Sequence, residues 1–124
     1  MNFTHLHVHS NFSLLDGAAP IEDLVGAAAD MGMEALALTD HNGLYGAVRF
    51  YQAATEAGIK PIIGAEIDIE PLLVRATSCD GLKADSNSLP SPLRHQPHLV
   101  LLAEGNEGYS NLCRLITAAR LGVA

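Results

Sequence analysis

The sequence predicts one α/β domain of alternating strands and helices, with parallel strands and right-handed crossovers. Three observations carry this. Short apolar runs bounded by turn residues alternate with stretches whose apolar residues recur at helical spacing. Metal-competent side chains stand at or just past the ends of the first three runs, the rim where α/β sheets and barrels gather their chemistry. The 124 residues, 48% of them apolar, suffice for a single small core.

The first strand is expected over residues 3–9. His5, His7 and His9 alternate with Leu6 and Val8, which predicts three imidazoles on one face and the apolar pair on the other. The run stops at Ser10-Asn11, and Asp16-Gly17 returns on a turn. Ala18-Ala19-Pro20 opens a helix, with Glu22 and Asp23 favourably placed near its start. Ile21, Leu24, Val25, Ala28 and Met31 follow at helical spacing, and Gly32 is a suitable stop. Residues 34–39 read as a short buried strand and Asp40 to Gly43 as a polar turn. A second helix is expected from about Leu44 to Ala57, with Val48, Tyr51, Ala54 and Thr55 at helical spacing and Gly58 at its end. The third strand covers residues 62–69. Residues 71–97 hold Pro71, Pro90, Pro92, Pro97 and the polar run 85–88, and read as an insertion or partly disordered loop. Residues 98–103 read as a fourth strand, 104–108 as a turn, and Tyr109 to Leu121 as a last helix.

The net charge of −7, from 14 acids against 7 bases, disfavours broad non-specific contact with nucleic acid. A metal-centred phosphate site is compatible with it, because bound cations dominate the local field. No apolar run reaches membrane-spanning length, and no basic segment followed by an apolar stretch opens the chain. Cys79 and Cys113 fit no disulfide framework or Cys-x-x-Cys site, so both read as inert. A reducing, cytoplasmic compartment is the simplest expectation.

His-x-His alone is a weak metal signal, since histidine is also common on surfaces and in cores. Asp16, Asp40, His41 and Glu66 strengthen it, being of the right types and falling on the predicted rim. Mixed imidazole and carboxylate donors suit Zn, Mn or Fe, and bridging carboxylates suit paired metals. His5 lies deeper on the strand, and a hydrogen-bonded core role is preferred to ligation. Of the adjacent Asp40 and His41, one is expected to ligate and the other to orient the site or cap the next helix; His41 is the preferred ligand. Asp68 and Glu70 share the face of Glu66 but read more simply as solvated acids at a strand end. His95 reads as a surface residue, and Ser10 and Ser13 as turn or supporting groups. His98 starts its strand, which is the wrong rim by the parallel rule, and period alone leaves it unassigned.

Taken together, His7-Val8-His9-Ser10, Leu14-Leu15-Asp16-Gly17, Leu38-Thr39-Asp40-His41 and Gly64-Ala65-Glu66 resemble the PHP (polymerase and histidinol phosphatase) family. They are most similar to the PHP domain of bacterial C-family polymerases, the DNA polymerase III alpha subunits. Residues 42–50 and 107–115 resemble that polymerase branch. The run Gly43 to Phe50 and the tail Leu115 to Arg120 resemble its error-prone, damage-inducible paralogue.

The resemblance implies a distorted (β/α)7 barrel, of which this chain carries the first four strand–helix units, residues 1–124 forming the N-terminal part. It implies up to three divalent metals (Zn, Mn or Fe) held by His7, His9, Asp16, His41, Glu66 and His98, the last on the family pattern alone. Asp40 and His5 are lesser candidates. The family's later Cys or His and its Asp-x-His have no counterpart here, nor do the polymerase palm and the DNA-binding modules. The implied parent is an error-prone DNA polymerase serving translesion synthesis and DNA repair. It would use Mg for polymerisation and meet DNA, dNTPs and replication or translesion proteins through those modules, with no membrane partner. Local 3′-5′ exonuclease or phosphoesterase chemistry is implied as well. A free-standing phosphatase for a small phosphate ester and a non-catalytic metal-binding scaffold are the competing readings. The isolated chain is expected to hold metal weakly, to lack polymerase activity and to aggregate through open strand edges.

Overall fold

β2 (Lys60–Asp68) is the middle strand of the sheet, because it has partners on both edges. On one side β1 (Ala35–Leu38) runs parallel to it, with Ala35 opposite Lys60 and Leu38 opposite Ile63. On the other, β3 (His98–Leu102) runs antiparallel, with Gly64 opposite Leu102 and Asp68 opposite His98. The structure is a computed structural model that describes residues 3–69 and 97–122. The expected insertion therefore lies outside the described residues except for Pro97, as do Glu70, Cys79 and His95.

Among the described residues, three helices complete this mixed α/β fold: α1 (Ile21–Asp30), α2 (Ala47–Glu56) and α3 (Gly105–Leu121). α1 begins directly after Pro20 and carries Glu22 and Asp23 in its first turn, as the sequence predicts. Gly32 and Gly58 both adopt left-handed backbone just past α1 and α2, which suits them as stops. Ile21, Val25 and Ala28 of α1 meet Phe50 and Ala54 of α2, Leu36 and Leu38 of β1, and Ile59 in one apolar cluster. Val8, Phe12, Met33, Ala53 and Ile63 pack against its margin.

Four expectations need correction. Residues 3–9 form no strand: Ala37 N–H donates to His5 O (2.9 Å) and Thr39 N–H to Val8 O (2.8 Å). Three residue steps on one side thus match two on the other, and the Val8 N–H is taken by the Thr39 hydroxyl (3.0 Å). The resulting bend leaves Leu6 49% exposed instead of facing the core. α2 begins at Ala47 and not at about Leu44; its buried face is Ala47, Phe50 and Ala54, while Val48 and Tyr51 face outward. α3 starts one turn earlier than Tyr109, straight after Glu104. The fourth predicted strand reverses direction relative to β2, which changes where its first residue lies.

Candidate metal centre

The reversal of β3 delivers His98 to the same rim as the C-terminal ends of β1 and β2. Its Nδ1 stands 3.2 Å from Oε1 of Glu66, so the placement that the parallel rule disfavours follows from antiparallel pairing. Glu66 is only 3% exposed and is the meeting point of the rim. Its Oε2 lies 2.6 Å from Nε2 of His7 and 2.6 Å from Nε2 of His9, and those two nitrogens are 3.1 Å apart. His7, His9 and Glu66 each offer a ligand atom, and all three atoms fall within 4.8 Å of one another. Burial by itself would raise the Glu66 carboxyl's pKa. The hydrogen bonds from His7 and His9 and the charge of His98 outweigh it, holding the group below the ordinary value and favouring the ionised form that ligates metals.

Asp16 reaches the far side of His9, with Oδ2 2.5 Å from Nδ1. His9 is therefore gripped by carboxylates at both nitrogens, the arrangement in which one carboxylate orients an imidazole and the other shares its ligand. Gly17 lets this loop close, since a Cβ there would stand 2.0 Å from the Ser10 carbonyl oxygen.

His41 is bridged to Glu66 through the backbone, but its side chain turns to Asp68, with Nε2 2.8 Å from Oδ1. Asn42, in left-handed backbone, donates from Nδ2 to Asp68 Oδ2 (2.7 Å) and accepts the Asp68 N–H at Oδ1 (3.1 Å). Burial would raise the Asp68 carboxyl's pKa, but its bonds from Asn42 and His41 and the nearby imidazole charges lower it overall. The His41 ring centroid is 6.5 Å from that of His9 and 6.3 Å from that of His98. Among the described residues the rim thus has one group of three converging ligand atoms, around Glu66, and beside it a hydrogen-bonded set of His41, Asp68 and Asn42.

Asp40 does not face the rim. It is 2% exposed, and its carboxylate accepts bonds from Ser10 N–H (2.7 Å), Ser10 Oγ (2.8 Å) and Ser13 Oγ (2.7 Å). Ser13 Oγ in turn accepts the His41 N–H at 3.0 Å, so Asp40 fixes both loops that carry donors. His5 is exposed, its ring edge-on to Phe3 with centroids 4.7 Å apart, which corrects the expected core role. Sequence reasoning undervalued Asp68 and missed Arg120, whose guanidinium donates to the Asn42 carbonyl at 3.1 Å from the last turn of α3.

A rim of imidazoles and carboxylates on an α/β sheet is a donor set of the kind that divalent metals take. The PHP domain profile matches residues 5–122, and the chain belongs to that family. It is 52% identical over 122 residues to the error-prone DNA polymerase of Symbiobacterium thermophilum, covering 98% of this chain and 9% of that one. It is 43% identical over 119 residues to DNA polymerase III subunit alpha of Borreliella burgdorferi, covering 96% and 10%. The chain thus spans about a tenth of the length of these relatives. Among solved structures, an amidohydrolase from Chromobacterium violaceum with bound sulfate and no metal superposes with a TM-score of 0.62 at 28% identity, over 96% of this chain and 34% of that one. A putative metal-dependent phosphoesterase from Bifidobacterium adolescentis gives 0.50 at 29% identity, over 54% and 23%. Among the described residues, no helix is long and apolar enough to cross a membrane.

Proposed function

We propose that this region is the PHP metal centre of an error-prone DNA polymerase and that it hydrolyses phosphodiesters, with a DNA 3′ end as the natural substrate class. The observation that carries the reading is the convergence of His7, His9 and Glu66 on one point, with His98 on the other oxygen of Glu66. The donor set fits a divalent cation such as Zn, Mn or Fe. Such a cation would supply Lewis acidity toward a phosphate oxygen and lower the pKa of an attacking water.

The chain's own residues do the rest. Glu66 supplies the buried negative charge, and His7 and His9 close the donor set around it. Asp16 holds the His9 ring in orientation through Nδ1. Asn42 holds Asp68, and Asp68 holds the His41 side chain beside this donor set. Polymerisation, translesion synthesis and contacts with DNA, dNTPs and other replication proteins belong in this reading to a longer polymerase chain.

The test is equilibrium dialysis of the protein against Mn or Zn, beside hydrolysis of end-labelled single-stranded DNA by a polymerase-length chain carrying this region. His9→Ala is expected to reduce metal retention at least about tenfold and to abolish hydrolysis. Metal bound at full stoichiometry without any hydrolysis would replace this reading with the scaffold one. No metal bound by either chain would remove both.

A further inference from the structure

Beside the cluster lies an opening of about 710 Å³ that shares Asp16 and His41 with the rim. Its lining includes Asp16, His41 and the cation Arg120 together with Phe12, Leu14, Leu15 and Tyr45. Apolar side chains are unusually open to water there: Leu14 is 84% exposed, Leu15 108% and Tyr45 67%. Leu15 is held outward by left-handed backbone, a conformation that non-glycine residues avoid. Tyr45 is exposed yet not loose. A Cβ on Gly43 would stand 2.4 Å from its Cε2, so the ring lies directly on the Gly43 backbone.

We propose that this opening is a nucleotide subsite, in which Tyr45 stacks on the base of a nucleoside monophosphate unit while Arg120 and the His41 rim take its phosphate. The proposal rests on the phosphodiester reading and adds what the enzyme recognises beyond the phosphate. The volume is that of a small-molecule site and not of a duplex groove. Its lining joins a cation and an imidazole to an aromatic ring and apolar side chains, the two kinds of group that a nucleotide's phosphate and base call for. Local recognition of this kind also suits a chain of net charge −7, which is poorly equipped to track a phosphate backbone electrostatically. Stacking on an aromatic side chain is tolerant of base identity, as a site for strand ends requires.

Isothermal titration of the 124-residue protein with deoxyadenosine 5′-monophosphate and with 2-deoxyribose 5-phosphate tests this without turnover. The nucleotide is expected to bind roughly 5- to 150-fold more tightly, the range of base–aromatic stacking. Tyr45→Ala should erase the difference and Tyr45→Phe should keep it. Gly43→Ala, which displaces the ring, should reduce it, and Arg120→Gln should weaken both ligands together. Equal affinity for the two ligands, no measurable binding of either, or a preference that survives Tyr45→Ala would overturn the proposal. Chelation separates the two readings. A base preference that persists in a protein with no metal-dependent hydrolysis sinks the phosphodiester reading alone. Hydrolysis without base preference sinks only the subsite.

Discussion

Asp40 and Glu66 are two acids at neighbouring strand ends, 2% and 3% exposed, and they do opposite work. The Asp40 carboxylate is saturated by an amide and two hydroxyls of the Ser10–Ser13 loop, donors with nothing else to offer. Glu66 is met instead by imidazole nitrogens of His7, His9 and His98, which serve either as donors to a carboxylate or as ligands to a cation. Burial is the same in both places. The partners' chemistry makes one acid a structural clamp and the other a candidate ligand.

The largest effect that separates them is on folding. Asp40→Ala removes the acceptor of three buried hydrogen bonds and strands the Ser10 and Ser13 donors. It is expected to destabilise the chain by roughly 3 kcal/mol, given the strength of hydrogen bonds to charged groups. Urea melts would show this as a lower midpoint at unchanged slope. A midpoint equal to that of the parent would mean that the clamp is not one. Glu66→Gln should do the reverse. The amide keeps the size of the side chain, so melts in chelator should move little, while retention of Mn or Zn in dialysis falls at least about tenfold. Unaltered metal retention in Glu66→Gln would erase the distinction between the two acids.

The sequence shows the rim but not its internal division. His7, His9 and Glu66 were legible because alternation and strand ends place side chains without knowledge of the whole sheet. His98 was not, because a period of two is the same for parallel and antiparallel strands, and only the pairing with β2 reveals the reversal. Asp68 looked like any acid at a strand end until His41 and Asn42 were seen to bond it. Arg120 carried no signal, since its contact with Asn42 joins residues 78 apart in the chain. In the fold, apolar spacing located α2 but not its buried face, because Val48 and Tyr51 keep helical spacing while pointing away from the core. The first strand failed as a strand because the Thr39 hydroxyl occupies a ladder position that the backbone would otherwise fill.

A third carboxylate extends the contrast to the surface, where the expected effect is smallest. Glu22 of α1 accepts a bond from Nε of Arg49 on α2 at 2.5 Å, with both side chains exposed. That hydrogen bond, chiefly, holds the Glu22 carboxyl below its ordinary value of 4.5. A depressed folded pKa means that the contribution is present above the unfolded pKa and is lost as pH falls through the folded one. Glu22→Gln should therefore melt slightly below the parent at neutral pH, and the gap should close once the pH lies beneath the carboxylate range. Because solvent screens the pair, molar salt should also close the gap at neutral pH. A difference that persists in strong acid or in salt would show that Glu22 acts through packing and not charge, and would remove it from the series that Asp40 and Glu66 begin.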